Sequence, residues 1–401
     1  MRIHSVKLEN FRGFKSFEQN LSPRLNVFIG KNGSGKTSIL DAIGMNINIG
    51  YLRNISVHVE PFEYSTKKVN FDDINSESSH TNISLKYETN QKIYKEEIKL
   101  IRTSEVFDFG YNDFIGYFDG FHSKLSLTTN FPLLSYYNSE KILSEDLAIT
   151  PSKFKYPQIN AYSSLESLIP FSFKLFSSWF RQQEDIENEI RLKSDQTYKL
   201  PNLQIIRSAI IGFFNNLGND TYNELSVIRA KPHKNESFNF SIRAGGELFI
   251  KKNEYFLKVS QLSTGEKNIL LTVADIASRI AQLNPSLENP LQNASGIVLI
   301  DEIEQHLHPT WQRKVIGALI KTFPNIQFIL TTHSENVIIS ILDLVKEKEL
   351  LPADVSVINL KPANDTIESE KLEINDHGQI EGGLSSFYED QLEDIDRFFN
   401  I

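Results

Sequence analysis

The residues Gly30-Lys31-Asn32-Gly33-Ser34-Gly35-Lys36-Thr37 fit the spacing GxxxxGK[ST], a pattern whose chemistry is the holding of phosphate. Three glycines let the backbone curl until successive N–H groups face inward, and a helix that follows adds its positive N-terminal end. The loop from Gly30 to Ser38 would cradle di- or triphosphate oxygens, Lys36 would reach the β- and γ-phosphates, and Thr37 would offer its hydroxyl to Mg²⁺. Far downstream, Asp301 and Glu302 close an apolar run. Asp301 suits the holding of Mg²⁺ through water, and Glu302 suits orienting or deprotonating an attacking water. His333 ends another apolar run, where an imidazole could hydrogen-bond a γ-phosphate and report its presence. Taken singly, each has a plain alternative: a glycine-rich turn, an exposed strand end, a structural histidine. Their succession in one chain outweighs those alternatives. His306 and His308 stand two residues apart beside the carboxylates, and a loop pair without metal is the favoured reading there.

Positioning such groups demands strands that end where the chemistry begins. Leu25, Val27 and Ile29 lie in a short apolar run that stops at Gly30, as a buried parallel strand would, with a helix expected from Lys36. Ser295 to Glu302 and the run IQFILTTHS read as two more buried strands, separated by the helical WQRKVIGALIKTF, which ends at Pro324. This β-α-β rhythm implies a parallel sheet covered by helices, with ligands at the carboxyl ends of its strands. Around that core, the start to Phe14 reads as a β-hairpin, and TNISLKYET and KIYKEEIKLI as an antiparallel sheet. Residues 104 to 130 are rich in Phe, Tyr, Gly and Asp with no Lys or Arg until Lys124, which favours a packed loop over a base-stacking surface. FPLLSYY reads as a buried strand, and residues 153 to 170, with prolines at 157 and 170, as a connector. Two amphipathic helices, Phe171 to Tyr198 and Leu203 to Leu217, form an inserted lobe, and short strands return from Asn223 to Val259. VSVINL and a strand near Leu372 precede an acidic tail. There Glu389 to Asp396 shares an amphipathic pattern with Phe398 and Phe399, which favours docking over a two-metal cluster.

At 401 residues and 40% apolar content the chain can bury a large core. It contains no cysteine, which excludes disulfides, thiolate catalysis and Cys-ligated zinc. A net charge of −9 disfavours indiscriminate coating of nucleic acid, although a local basic groove stays compatible with it. The first residues hold no apolar signal segment and no later run has the length of a membrane span, so the expectation is a cytoplasmic protein without membrane contact.

Phosphate loop, then LSTGE at Leu262 to Glu266, then VLIDE, then TTHS, in that order, resemble the Walker A, signature, Walker B and switch-histidine motifs of ABC-type ATPases. The start LENFRGF, the long insertion before the signature and DEIEQHLHPTWQ resemble the RecF, SMC and OLD-like branch, and within it the stand-alone Septu-type ATPases of bacterial anti-phage systems. The resemblance implies an α/β fold: an ABC ATPase head of mixed and parallel sheet flanked by helices, an antiparallel β lobe and an inserted helical lobe. The expected divisions are 1–50 (head, N-terminal part), 51–130 (antiparallel β lobe), 131–260 (helical lobe and returning strands), 261–350 (head, C-terminal part) and 351–401 (last strands and acidic tail). It also implies ATP and Mg²⁺ as ligands. Lys36, Glu302 and His333 carry catalysis, and Ser263, Gly265 and Glu266 at the start of a helix cap the ATP of another copy in a homodimer or higher oligomer. Two departures stand out: the signature reads LSTGE rather than LSGGQ, and the glutamine that gives a third Mg²⁺ contact has only Asn138, or the distant Gln158, to represent it. The implied role is a switch controlling a separate effector such as a nuclease. Direct clamping of DNA by a repair or chromosome-associated ATPase is the rival, and a scaffold that turns ATP over too slowly to matter is the second.

Overall fold

The structure, a computed structural model, describes residues 1–53, 55, 69–89, 92–102, 107–108, 126–138, 157–162, 173–218, 220–228, 246–363 and 366–381. Most of the aromatic stretch at 104–130, most of the connector at 153–170 and the acidic tail lie outside these residues. Its centre is a six-stranded sheet in the order β14-β13-β3-β12-β11-β7, in which only β14 runs antiparallel. The strands are β3 (Leu25–Ile29), β7 (Leu133–Tyr137), β11 (Gly296–Ile300), β12 (Ile326–Thr332), β13 (Val355–Ala363) and β14 (Thr366–Leu372). Every residue of β3, β7, β11 and β12 is buried, which is why these segments read as unbroken apolar runs rather than alternating ones. FPLLSYY thus belongs to this central sheet, beside the strand that carries Asp301.

Strands β1 (Arg2–Phe11) and β2 (Phe14–Asn20) form the expected hairpin, and β4 (His80–Thr89), β5 (Lys92–Ile101) and the short β6 (Phe107–Asp108) extend the same antiparallel sheet, in the order β2-β1-β4-β5-β6. The lobe expected at 51–130 therefore shares its sheet with the N-terminal hairpin. Helix α1 (Lys36–Ile47) lies between the two sheets, touching β11 and β12 on one side and β4 and β5 on the other. Its end widens into a π-helical turn over Asn48–Leu52, where the Glu96 carboxylate fills the space beside Gly50: a Cβ there would sit 1.5 Å from Oε2. Burial pushes the Glu96 carboxyl up to about 8.

Helices α2 (Phe173–Lys193) and α3 (Pro201–Leu217) are joined by a buried polar cluster, in which Arg207 bonds Glu184 and Glu187 at 2.8 Å each. A three-stranded antiparallel sheet, β10-β9-β8, follows, made of β8 (Tyr222–Ile228), β9 (Glu247–Lys252) and β10 (Tyr255–Lys258). The long helix α4 (Thr264–Leu283) packs on β7 and α3, with α5 (Pro290–Asn293) after it. WQRKVIGALIKTF is not one helix: α6 (Pro309–Gln312) and α7 (Val315–Thr322) are separated at Lys314, whose φ of −123° leaves the helical range. Helix α8 (Glu335–Lys346) follows β12. No helix among the described residues is long and apolar enough to cross a membrane.

Candidate nucleotide site

The phosphate loop leaves β3 at Gly30 and re-enters regular structure at Lys36. Its glycines answer different demands. Gly30 (φ 144°) has no room for a side chain, since a Cβ would lie 2.5 Å from the Leu360 carbonyl oxygen and 2.6 Å from Ser34 Oγ. Gly33 (φ 81°) faces open space and is required by its backbone angle alone. Gly35 (φ 87°) caps α1, and no side chain occupies the N–H groups of the first turn. Lys31, Asn32 and Gly33 are exposed, whereas Ser34 is buried with its Oγ unpartnered. Lys36 folds back over the loop, donating to the carbonyls of Gly30 (2.7 Å) and Lys31 (2.9 Å). Burial lowers the pKa of its ammonium, against the opposing pull of Glu302, Asp301 and Glu304.

Residues 264 positions apart meet next to it: Thr37 Oγ1 lies 3.0 and 3.2 Å from the two carboxylate oxygens of Asp301. Thr331, at the end of β12, donates its hydroxyl to Asp301 Oδ1 (2.5 Å) and accepts from the Glu302 backbone N–H (2.8 Å). Glu302 is held at φ 50°, a costly angle for a residue with a Cβ. A hydroxyl and a carboxylate are hard oxygen donors, and among the described residues no cluster of three His, Asp or Glu could hold a metal alone. Such a sparse set fits Mg²⁺, which keeps its waters and takes phosphate oxygens.

Glu304 was not singled out from the sequence. It is buried, and its carboxylate collects the Thr332 hydroxyl (2.6 Å), the His333 N–H (2.9 Å) and His333 Nδ1 (2.9 Å). His333 is therefore brought to the site, with its ring half exposed. Gln312 joins the same region, donating to Leu307 O (3.0 Å) and accepting from the Ser334 hydroxyl (2.7 Å). The available signal was the hydroxyl-rich strand end Thr331-Thr332-His333-Ser334, which needs a buried acceptor.

The signature opens α4. Ser263 Oγ accepts from the Glu266 N–H (3.3 Å) and the Glu266 carboxylate accepts from the Ser263 N–H (2.8 Å), a capping box that explains glutamate at that position. Ser263 is exposed, but Gly265 is not: it is buried against its own chain, where a Cβ would lie 2.1 Å from the His306 carbonyl oxygen. That close approach leaves no room for a side chain at position 265. Gln158 is likewise removed from the site, because its amide holds the carbonyls of Ser126, Leu127 and Thr129, before β7 begins. Asn138 instead follows the end of β7, next to Asp301, whose N–H donates to Tyr137 O. His306 is exposed, and His308 caps α6 by accepting from the Thr310 N–H.

The sequence family described as "AAA domain, putative AbiEii toxin, Type IV TA system" matches residues 25–340, which include Lys36, Thr37, Asp301, Glu302, Glu304 and His333. The chain belongs to this AAA-domain family. It is an ATPase of the ABC type. It is 31% identical to the Retron Ec83 probable ATPase of Escherichia coli, over 84% of this chain and 69% of that one. It is 29% identical to the Retron Vc95 probable ATPase of Vibrio cholerae (85% and 72%) and 24% identical to the Septu protein PtuA of Bacillus thuringiensis (84% and 72%). Among solved structures, an SMC head bound to the C-terminal winged-helix domain of ScpA shares the fold, with a TM-score of 0.51 at 13% identity, over 93% of this chain and 98% of that one.

In this AAA-domain chain the FRGF turn is tied to the phosphate-loop helix. Arg12 (φ 48°) reaches Asp73 (2.8 Å), Asp41 (2.7 Å) and the Ser38 hydroxyl (3.3 Å), and Tyr136 donates to Asp41 (3.0 Å). Ser38, expected among the nucleotide contacts, thus accepts from a guanidinium.

Proposed function

We propose that this chain is a Mg²⁺-dependent ATPase whose two copies close around two ATP molecules, and that the cycle of closure and release controls a separate effector in defence against phage. The observation that carries it is the convergence of Lys36, Thr37, Asp301 and Glu302 at the carboxyl ends of β3 and β11. Lys36 would exchange the Gly30 and Lys31 carbonyls for phosphate oxygens, a stronger partner for an ammonium losing water. Thr37 and Asp301 would hold Mg²⁺, which when bound neutralises charge on the phosphate oxygens. Glu302, oriented by Thr331, would position a water and take its proton as the oxygen attacks the γ-phosphorus.

Closure by a second copy is supported by the exposure of Ser263 and Thr264 at the N-terminus of α4, where a phosphate held by another copy can reach them. The motif resemblance and relatives named for retrons and Septu support the defence role. Exposed lysines paired with carboxylates, such as Lys7 with Glu9 and Lys361 with Glu370, favour an effector over direct clamping of DNA.

Complementation tests the shared site. Ser263→Arg should spare ATP binding and block hydrolysis, and Lys36→Ala should fail to bind. A mixed dimer keeps one intact site, built from the phosphate loop of the first variant and the signature of the second, so mixing should restore partial turnover. No rescue at any ratio counts against sites shared between subunits.

A further inference from the structure

Helix α4 meets the loop that carries Glu302 across a small cavity of about 30 Å³, lined by Asn268 and Thr272 of the helix, Tyr137 of β7, and Asp301, Glu302 and Gln305 of the loop. Two polar atoms here are buried and have no hydrogen-bond partner among the described residues, Asn268 Nδ2 and Gln305 Oε1. The first only donates and the second only accepts, so they are complementary, yet they do not bond each other. Buried polar groups in folded proteins find partners either in the chain or in ordered water. A water needs about 10–15 Å³ and two to four polar partners, and this cavity meets both demands. The third partner is Thr272 Oγ1, which donates to the Asn268 carbonyl at 3.0 Å and keeps its own lone pairs. Other small occupants fit less well. A cation would face the Asn268 amide hydrogens, and an anion would be repelled by Asp301 and Glu302.

We propose that one ordered water bridges Asn268 and Gln305, and that through it these two act as positioning residues for Glu302. The water accepts from Asn268 Nδ2 and directs its two hydrogens to Gln305 Oε1 and Thr272 Oγ1. The turn it supports is tightly specified elsewhere. The Gln305 N–H donates to the Glu302 carbonyl and the Glu302 N–H to Thr331 Oγ1, both at 2.8 Å, which engages both backbone polar groups of a residue held at φ 50°. Tying the Gln305 side chain to α4 joins that turn to the signature helix. Two turns further along α4, Asp275 accepts from the Tyr137 hydroxyl at 2.7 Å, and the Tyr137 carbonyl accepts from the Asp301 N–H at 2.8 Å. The helix is thus braced against both Asp301 and Glu302, and a load on its N-terminus is felt at the catalytic loop. The positioning role rests on the hydrolytic reading given above, whereas the water site does not.

A high-resolution crystal structure of the nucleotide-free protein tests the site. It should show one water within hydrogen-bonding distance of Asn268 and Gln305; a dry cavity, or a direct bond between the two amides, overturns the proposal. Steady-state kinetics test the role. Asn268→Leu and Gln305→Leu, which fill the cavity without polar groups, should each lower kcat by about tenfold or more while ATP affinity stays within about threefold. The double variant should turn over no more slowly than the slower single one, because either change removes the same bridge. Asn268→Ser keeps a donor for the water and should retain kcat within about threefold, and it carries the contrast with Gln305→Leu if Asn268→Leu fails to fold. Wild-type turnover in Gln305→Leu, additive losses in the double variant, or an equal loss in Asn268→Ser overturns the positioning role. A wild-type protein that holds the water but does not hydrolyse ATP would instead refute the hydrolytic reading.

Discussion

Replacing Gly265 by Ala separates two explanations of the signature glycine. A Cβ at this position lies 2.1 Å from His306 O and 2.7 Å from His306 C. Ordinary contact begins near 3.5 Å, so the helix start or the facing loop must yield by about 1.4 Å. The loop has little to give, since both Glu302 (φ 50°) and His306 (φ 61°) already occupy the left-handed region. Alanine improves helix propensity by at most about 1 kcal/mol, whereas overpacking costs about 1–3 kcal/mol, so net destabilisation of about 1–2 kcal/mol is expected. The displaced loop carries Glu302 and Glu304, and misplacement by about 1 Å is enough to lower kcat on the order of a hundredfold. Residues 30–37 are untouched, so ATP affinity should hold. Turnover against ATP concentration and urea unfolding of the nucleotide-free protein measure both effects. An unchanged urea midpoint with lost turnover would refute the own-chain packing argument and return Gly265 to a partner's phosphate. Wild-type values of both would refute any constraint at this position.

Lys36→Ala should abolish ATP binding measured by calorimetry, because the buried phosphates would lose their main point charge; retained affinity would sink the assignment of the loop. Glu302→Gln should keep ATP binding, slow hydrolysis by on the order of a hundredfold and accumulate the closed dimer, which light scattering with ATP would detect. Glu96→Gln should change stability in a pH-dependent way. The folded chain keeps the Glu96 proton up to about pH 8, while the unfolded chain releases it near 4.5. The stability contributed below that lower value is therefore lost as pH rises toward the upper one, by at most about 5 kcal/mol. Glutamine mimics the protonated acid, so the gap in urea midpoint in the variant's favour should widen from about pH 5 to about pH 8. A constant gap would mean that Glu96 does not titrate in this window.

What the sequence disclosed was local. The phosphate loop, the apolar runs ending at Gly30, Asp301 and His333, and the helix after Leu262 are written in adjacent residues, and each lies where its pattern places it. The ABC-type head was legible because four such motifs succeed one another in a fixed order. Contacts across the fold were not. Nothing near Glu304 announces Thr332, because that hydroxyl arrives on a strand 28 residues later. The steric demand for glycine at position 265 was hidden as well, because the His306 carbonyl that excludes its side chain has no sequence signature. Arg12, an ordinary hairpin residue by pattern, gains its meaning from Asp41 and Asp73. The break at Lys314 falls inside a run of good helix formers.

The placement of β3 has a consequence for how this protein is made. Its hydrogen-bonding neighbours are residues 326–332 and 355–363, and its loop is closed by the Leu360 carbonyl at Gly30 and by Ile367 against Gly35. During synthesis at about 5–20 residues per second, β3 waits roughly 20 to 70 s for its partners to emerge. Until then it is an apolar strand with two open edges, a template for wrong pairing. A product halted anywhere before that point has a phosphate loop without walls and should not respond to ATP. The topology thus acts as a proofreading step: only a chain whose translation has run past the last strands of the sheet can complete the walls of the phosphate loop.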